Sequence, residues 1–320
     1  MKKSLIGLLF ILATSIASAQ SDYPTRAIRL IVPFPVGQTA DLIARILAQK
    51  LTESLGQTVW VENKPGAAGI LGMEAAKGQA PDGYTLLFAT SGPMAINESL
   101  YKNLPYRTLR DFTPIGMMYE APQFIAVRRD FSVNSLKELI EYVKSKPGQV
   151  NYGSSGSGIT NHLTMELLNA QTGMQMTHVA YKGATPALTA LMAGDIDLMF
   201  ESGPVLLPHV ANHKIKLIAV GSGQRSLALP EVPTVAESGV PNFHAKAWAS
   251  LLAPLGLPKP IIEKLNTALK QALTDPAIHE RLIKLGAEPV TLSPEDTQDY
   301  IAKGITLWAE AVKVSGATAD

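Results

Sequence analysis

From Ala27 onward, hydrophobic and polar positions follow a repeating order. A short β-branched run gives way to a stretch in which apolar residues return every three or four positions, and the cycle begins again. "AIRLIVPF" leads to "DLIARILAQKLTESLG", then "VWVEN", "GILGMEAAKGQ" and "TLLFAT". Compact apolar runs predict strands and the three-to-four spacing predicts helices. Their alternation predicts βαβ units, a parallel sheet with helices on both faces. A second block repeats the order in "FIAVRR", "SVNSLKELIEYVKSKPG", "VNYGSS", "TNHLTMELLNAQTG", "MTHVAY", "ATPALTALMAGD", "IDLMFES" and "IKLIAVGS". The expected fold is α/β with two domains, each a mostly parallel sheet flanked by helices.

Local signals sharpen the boundaries. Ser135 with Glu138 three residues on predicts a capping box, and Lys144, Lys146 and Pro147-Gly148 predict the end of that helix. In "TPALTALMAGD", Leu188, Leu191 and Met192 are expected on one core face, with Gly194 closing the helix. Ser293 and Pro294 read as N-cap and first residue of a late helix. Apolar stretches at 121–130 and 246–256 look like crossings between domains. They divide the chain into domain 1 (20–124 plus 249–320) and domain 2 (125–248), with crossing strands near 122–129 and 246–253. The C-terminal helices are expected to return to the first domain.

The N-terminus is different. "MKKSLIGLLFILATSIASAQ" has two lysines, an apolar core over 5–16 and the small-residue run Ala17-Ser18-Ala19. This reads as a secretory signal peptide cut after Ala19, because the apolar run is too short for a bilayer span of roughly 20 residues. The expected location is the periplasm. The remaining chain, about 300 residues, can bury two cores of ordinary size. Its 28 Lys and Arg against 27 Asp and Glu become 26 against 27 without Lys2 and Lys3. That near-neutral balance argues against a nucleic-acid partner. With zero cysteines, disulfides, thiol catalysis and thiolate metal sites are excluded.

Four loops share one design, an apolar strand followed by small polar residues and then a helix: "PFPVGQTAD", "ATSGPMAIN", "YGSSGSGITNH" and "VGSGQRS". In an open α/β sheet such loops lie at the carboxyl edge of the strands, where ligands bind. Amides at a helix start carry partial positive charge and hold anions without a charged side chain. Any one such loop is as readily a turn and a cap; four, from both domains, point to a cleft between them. From the first loop the expected contacts are Phe34, Val36, Gly37, Gln38, Thr39 and Asp41. The second supplies Thr90 and Ser91, and the third Ser154, Ser155, Gly156, Ser157, Gly158 and Thr160.

Competing motifs fail. Around Ser155 the flanking positions are Gly153 and Ser157, so the nucleophile elbow is absent, and neither G-x-G-x-x-G nor a P-loop is complete. His209 and His213 lack the glutamate of a zinc-binding H-E-x-x-H helix and read as a surface helix end. No metal or cofactor is expected. His162 either faces the cleft or lies along its helix. Asp195 and Asp197 read as turn and strand-entry residues. Glu201 and Ser202, at a strand end, are expected to line the cleft, Trp248 to form an apolar wall, and Lys182 to be the one cation within approach of the site. An exported serine hydrolase, with Ser155 or Ser91 as nucleophile and His162 as base, is the rival reading. A receptor domain feeding a signalling partner is a third.

Taken together, "IRLIVPFPVGQTADLIARILAQKL", "GQTVWVENKPGAAG", "APDGYTLLFATSG", "NYGSSGSGITNHL", "HVAYKGATPALTALMAGDIDLMF" and "LPEVPTVAESGVPNF" closely resemble Bug-type solute-binding receptors of tripartite tricarboxylate transporters. The resemblance spans nearly the whole mature chain. It implies a monomeric periplasmic two-lobed receptor without catalysis that closes on a small carboxylate and delivers it to a membrane permease. Its ligand would be a dicarboxylate, tricarboxylate, amino acid, aromatic acid or vitamin-like acid. It also implies that loops 34–41 and 154–158 face each other and hold the acid through amides, hydroxyls and water. Here Gly37-Gln38 replaces the usual Gly-Gly, Thr39-Ala40 replaces Ala-Thr, and Ala68 stands where glycine is typical. An altered ligand preference, for a smaller or more hydrogen-bonding solute, follows as an expectation.

Overall fold

The alternating pattern becomes alternating structure. In the computed structural model, residues 23–319 are described; the expected leader and its cleavage after Ala19 lie outside them. The first block runs β1 (Ile28–Val32), α1 (Thr39–Leu55), β2 (Val59–Asn63), α2 (Ile70–Lys77) and β3 (Thr85–Thr90). A π-helical turn (Gly92–Ile96) and two single-turn helices, α3 (Asn97–Leu100) and α4 (Thr108–Asp111), lead into β4 (Phe112–Ala121). The second block comprises β5 (Gln123–Arg128), α5 (Leu136–Ser145), β6 (Asn151–Ser154), α6 (Thr160–Thr172) and β7 (Thr177–Ala180). It continues through α7 (Ala184–Ala193), β8 (Leu198–Ser202), α8 (Gly203–Ala211) and β9 (Ile215–Val220). After an irregular segment come β10 (Ala247–Pro254), α9 (Lys259–Thr274), α10 (Pro276–Lys284), β11 (Glu288–Pro289) and α11 (Pro294–Ser315).

Two sheets result, ordered β11-β4-β10-β3-β1-β2 and β7-β6-β8-β5-β9. Both are mixed. The ladders are parallel within β2-β1-β3 and β7-β6-β8, where helices cross over, and every antiparallel ladder involves β4, β5 or β10. Those three strands carry the chain between sheets and so escape the crossover rule that makes neighbours parallel. Pro122 alone separates β4 in one sheet from β5 in the other. It has no N–H to offer a ladder, which suits a place where one ladder stops. The return runs through 221–246. "VGSGQRS", expected to open a helix, opens this irregular strap instead, pinned by Gly221 N–H to Gln123 O (2.8 Å) and Ala245 N–H to Gly221 O (2.9 Å).

Packing follows the periodicity with two corrections. Ile43, Leu47 and Leu51 of α1 are buried with Leu265, Leu269 and Leu273 of α9, each such side chain contributing about 1.5–3 kcal/mol. In α7, Leu188 and Leu191 are buried as expected, but Met192 is 39% exposed and Ala187 and Ala190 take the core side. A stripe one position over is enough to turn Met192 out. The last helix, α11, is not confined to the first sheet: it packs on both β4 and α6, and Thr297 Oγ1 accepts the Met117 amide at 3.2 Å.

Candidate functional site

The loop after β1 is shaped from inside the helix that follows it. Gly37 adopts φ +85°, a left-handed conformation that glycine takes without strain. Asp41, in the first turn of α1, reaches back to accept the Gly37 amide (2.9 Å), Asn63 Nδ2 (2.8 Å) and Arg45 Nε (3.1 Å). Asn63 also donates to Phe34 O at 3.0 Å. Burial alone would raise the Asp41 carboxyl, but the hydrogen bonds from Arg45, Gly37 and Asn63 outweigh it and hold the group below its ordinary value. With Gln38 as an N-cap that makes no side-chain cap bond, the Thr39 and Ala40 amides have no intramolecular partner among the described residues.

The loop after β6 repeats the device with other chemistry. Gly158 adopts φ +74°, and its amide donates to His162 Nδ1, four residues on, at 3.1 Å. The His162 ring stacks on His178 (centroids 3.9 Å apart), which stacks on Tyr152 (4.9 Å). Burial, and then the neighbouring His178, hold the imidazole of His162 down to about 4. Below the loop, Glu201 accepts from Ser155 Oγ (2.9 Å), Asn161 Nδ2 (3.1 Å) and the Ser202 amide (2.8 Å). α6 also starts without a side-chain cap.

α7 and α8 likewise begin uncapped, at Gly183 and Ser202. The contrast is with α5, α10 and α11, whose Ser135, Asp275 and Ser293 each accept first-turn amides. Those three starts lie elsewhere, whereas α1, α6, α7 and α8 all open on one cleft of about 920 Å³. Ser91, at the start of the π-helical turn, lines the same cleft with an Oγ that is buried and unpartnered. Among the described residues no charged side chain lines it; its apolar and aromatic lining includes Phe34, Ile43, Ile96, Leu100, Tyr101, Tyr119, Val205 and Leu285.

The structure brings together Phe34, Gly37, Gln38, Thr39, Thr90, Ser91, Ser157, Gly158 and Thr160 as lining residues. Others sit elsewhere. Asp41, Ser154, Ser155 and Glu201 lie beneath the surface as loop supports, Ser154 Oγ donating to Gly156 O (2.9 Å) and contacting His178 Nε2 (2.6 Å). Gly156 is held in that layer by its own amide on Ser154 Oγ (3.2 Å). Val36 is 71% exposed at the loop tip. Lys182 is exposed, because Gly183 (φ +114°) turns the chain so that Ala184 and Thr185 face the cleft instead. Trp248 is buried against Tyr300 (rings 5.4 Å, 84°) and Gly304. Alternation along β10 gives the cleft Ala247 and sends the next side chain the other way. The serine-hydrolase grouping is not assembled: His162 is engaged by Gly158, Ser155 by Glu201, and Ser91 touches neither.

Sequence reasoning missed Asn97, Leu100, Tyr101, Tyr119 and the C-terminal Thr318 and Ala319. Asn97 closes "ATSGPMAIN" itself, and reading on through "ESLY" would have found Leu100 and Tyr101; the tail carries no signal of its own. The lobes touch at both ends of the cleft. A Cβ on Gly158 would lie 3.0 Å from Leu100, and one on Gly286 2.4 Å from Pro204.

Two α/β sheets joined by crossing strands, with uncapped helix starts from both facing one uncharged cleft, define a two-lobed solute-binding protein. A family model described as "Tripartite tricarboxylate transporter family receptor" matches residues 43–316, and the chain belongs to that family. Protein BugT of Bordetella pertussis is 37% identical over 316 residues, covering 98% of this chain and 97% of the relative. Among solved structures, an R. palustris protein with adipate has 34% identity and a TM-score of 0.78, covering 93% of this chain and 99% of its own. MatC from Rhodopseudomonas palustris with bound malate has 32% identity and a TM-score of 0.73, covering 91% and 100%.

Proposed function

We propose that this receptor captures a small carboxylate in the periplasm between its two lobes, without chemical conversion, and delivers it to the membrane permease of a tripartite transporter. The observation that carries the reading is the cleft itself: four uncapped helix starts converge on a surface with no charged side chain among the described residues. Such a surface favours an anion through peptide dipoles. It also avoids a desolvated ion pair, which would make release costly. The Thr39 and Ala40 amides serve one lobe and those of Ile159 and Thr160 the other, with Ser91 Oγ as a further donor. Because the ligand touches both lobes, it binds the closed state better than the open one, which is the only way binding can drive closure. The adipate and malate of two relatives support trying dicarboxylates first.

The test is a thermal-shift screen of mono-, di- and tricarboxylates, aromatic acids and amino acids. A ligand present at 100 times its Kd stabilises the folded state by about 2.7 kcal/mol, so a true ligand raises the melting temperature in a dose-dependent way. A flat response across every acid contradicts the reading. An ester-hydrolysis assay on the same preparation checks the absence of catalysis, and the mass of the exported protein checks cleavage after Ala19.

A further inference from the structure

His162 lies just beneath the cleft, not in it, and nothing said so far gives it a task. Its Nδ1 sits 3.1 Å from the Gly158 nitrogen. An amide can only donate, so Nδ1 must be the unprotonated ring nitrogen. The ring is 5% exposed and is clamped in a column with His178 of β7 and Tyr152 of β6. The titratable groups around it are these two, Glu166 of α6, which accepts from Tyr152 Oη, and Glu201 of β8, reached through Asn161. Neither imidazole bonds to a carboxylate among the described residues. The packing therefore offers a second proton on His162 no stabilising partner.

We propose that His162 is the positioning residue of the cleft loop that opens α6. Through Nδ1 it fixes the left-handed Gly158, and so aims the Ile159 and Thr160 amides at the ligand. The step needs no contact between His162 and the solute. Its consequence for ligand capture rests on the reading of the cleft as a carboxylate site; the positioning itself does not. The device also carries a built-in sensitivity. A second proton removes the only lone pair that can accept the Gly158 amide and sets a buried positive charge against the His178 ring, 3.9 Å away. The loop then loses its anchor and the cleft loses the Ile159 and Thr160 donors.

The replacement that tests this is dictated by geometry. Asn Oδ1 stands two bonds beyond Cβ, where Nδ1 of histidine stands, but does not titrate near neutrality. In the ligand-free full-length mature protein, His162→Asn should keep the Gly158 amide protected from hydrogen exchange. His162→Leu should speed its exchange by about tenfold or more, as local opening replaces a closed bond. In wild type, protection should fall as the pH is lowered towards 4, and in His162→Asn it should not follow that curve. The ¹⁵N spectrum of the wild-type ring at pH 7 should show Nδ1 without a proton, a reading available even if a variant fails to fold. A protonated Nδ1, or equal Gly158 protection in the Leu variant and wild type, overturns the proposal. Titration with the acids of the thermal-shift panel, adipate first, separates the two ideas. Wild type that shows the Gly158 behaviour but binds none of them contradicts the carboxylate reading and leaves the positioning role standing.

Discussion

The loop that opens α1 and the loop that opens α6 can be laid over one another, Gly37 on Gly158 and Asp41 on His162. In each, a left-handed glycine gives its amide to a side chain four residues on, at the edge of the cleft. The anchors differ. In the first loop the acceptor is an anion, neutralised by Arg45 and hydrogen-bonded by Asn63. In the second it is a neutral ring held by stacking, while the anion, Glu201, sits a layer deeper and binds only neutral donors. Both arrangements keep net negative charge off a surface read as an anion site. The lesson is that a helix start becomes a usable site when the amide just before its N-cap is satisfied from below, so that the loop is held while the first-turn amides are left uncapped.

Removing the anchoring carboxylates should have the largest effect and break the comparison from either side. Asp41→Ala strands Gly37, Asn63 and Arg45, and Glu201→Ala strands Ser155, Asn161 and Ser202. Each should cost about 2–4 kcal/mol in urea unfolding, since buried donors are left unpaired, and each should weaken acid binding by more than tenfold. Next come the two glycines. Gly37→Ala and Gly158→Ala both force a non-glycine residue to positive φ, at a cost of about 1 kcal/mol. A Cβ at Gly37 meets nothing within 4 Å, but one at Gly158 meets Leu100 across the cleft. Gly158→Ala should therefore lose more ligand affinity than Gly37→Ala at similar loss of stability; equal losses in affinity would show that the contact across the cleft is irrelevant.

Acid should sharpen the same comparison. His162 has a folded value of about 4, below its ordinary 6.5, so the unfolded chain takes up the proton first. The stability tied to neutral His162 is full above 6.5 and declines as the pH falls towards 4. Asp41 is held below its ordinary 3.8. Its contribution is full above that value and is lost only as the pH falls through the lower folded one. Hydrogen exchange at pH 7, 5.5 and 4.5 should show the α6 loop loosening before the α1 loop. The smallest expected effect is that of Gln38→Gly, which should leave stability within about 1 kcal/mol and shift the preferred acid in a thermal-shift panel.

Much of this was legible in the sequence because strand-to-helix punctuation is local. "PFPVGQTAD" and "GSSGSGITNH" identified the two loops, and Gln38, Thr39, Gly158 and Thr160 do line the cleft. What the pattern could not separate is surface from support. Asp41 and Glu201 were read as contacts and are braces, because a loop's polar residues divide by depth, and depth is set by partners distant in sequence such as Asn63 and Ser155. Trp248 went to the wrong face because an almost wholly apolar strand such as "AWASLLAP" shows no alternation to orient it. The mixed sheets were hidden for a related reason. β4, β5 and β10 resemble their parallel neighbours in composition and differ only in where the chain comes from.

The central claim, that peptide dipoles at facing helix starts hold the acid, is tested most directly by titrating into ¹⁵N-labelled protein an acid that raises the melting temperature in the thermal-shift panel. The amide resonances of Thr39, Ala40, Ile159 and Thr160 should shift together and saturate at one Kd. Saturable binding that leaves those four unmoved while resonances elsewhere shift would contradict the account.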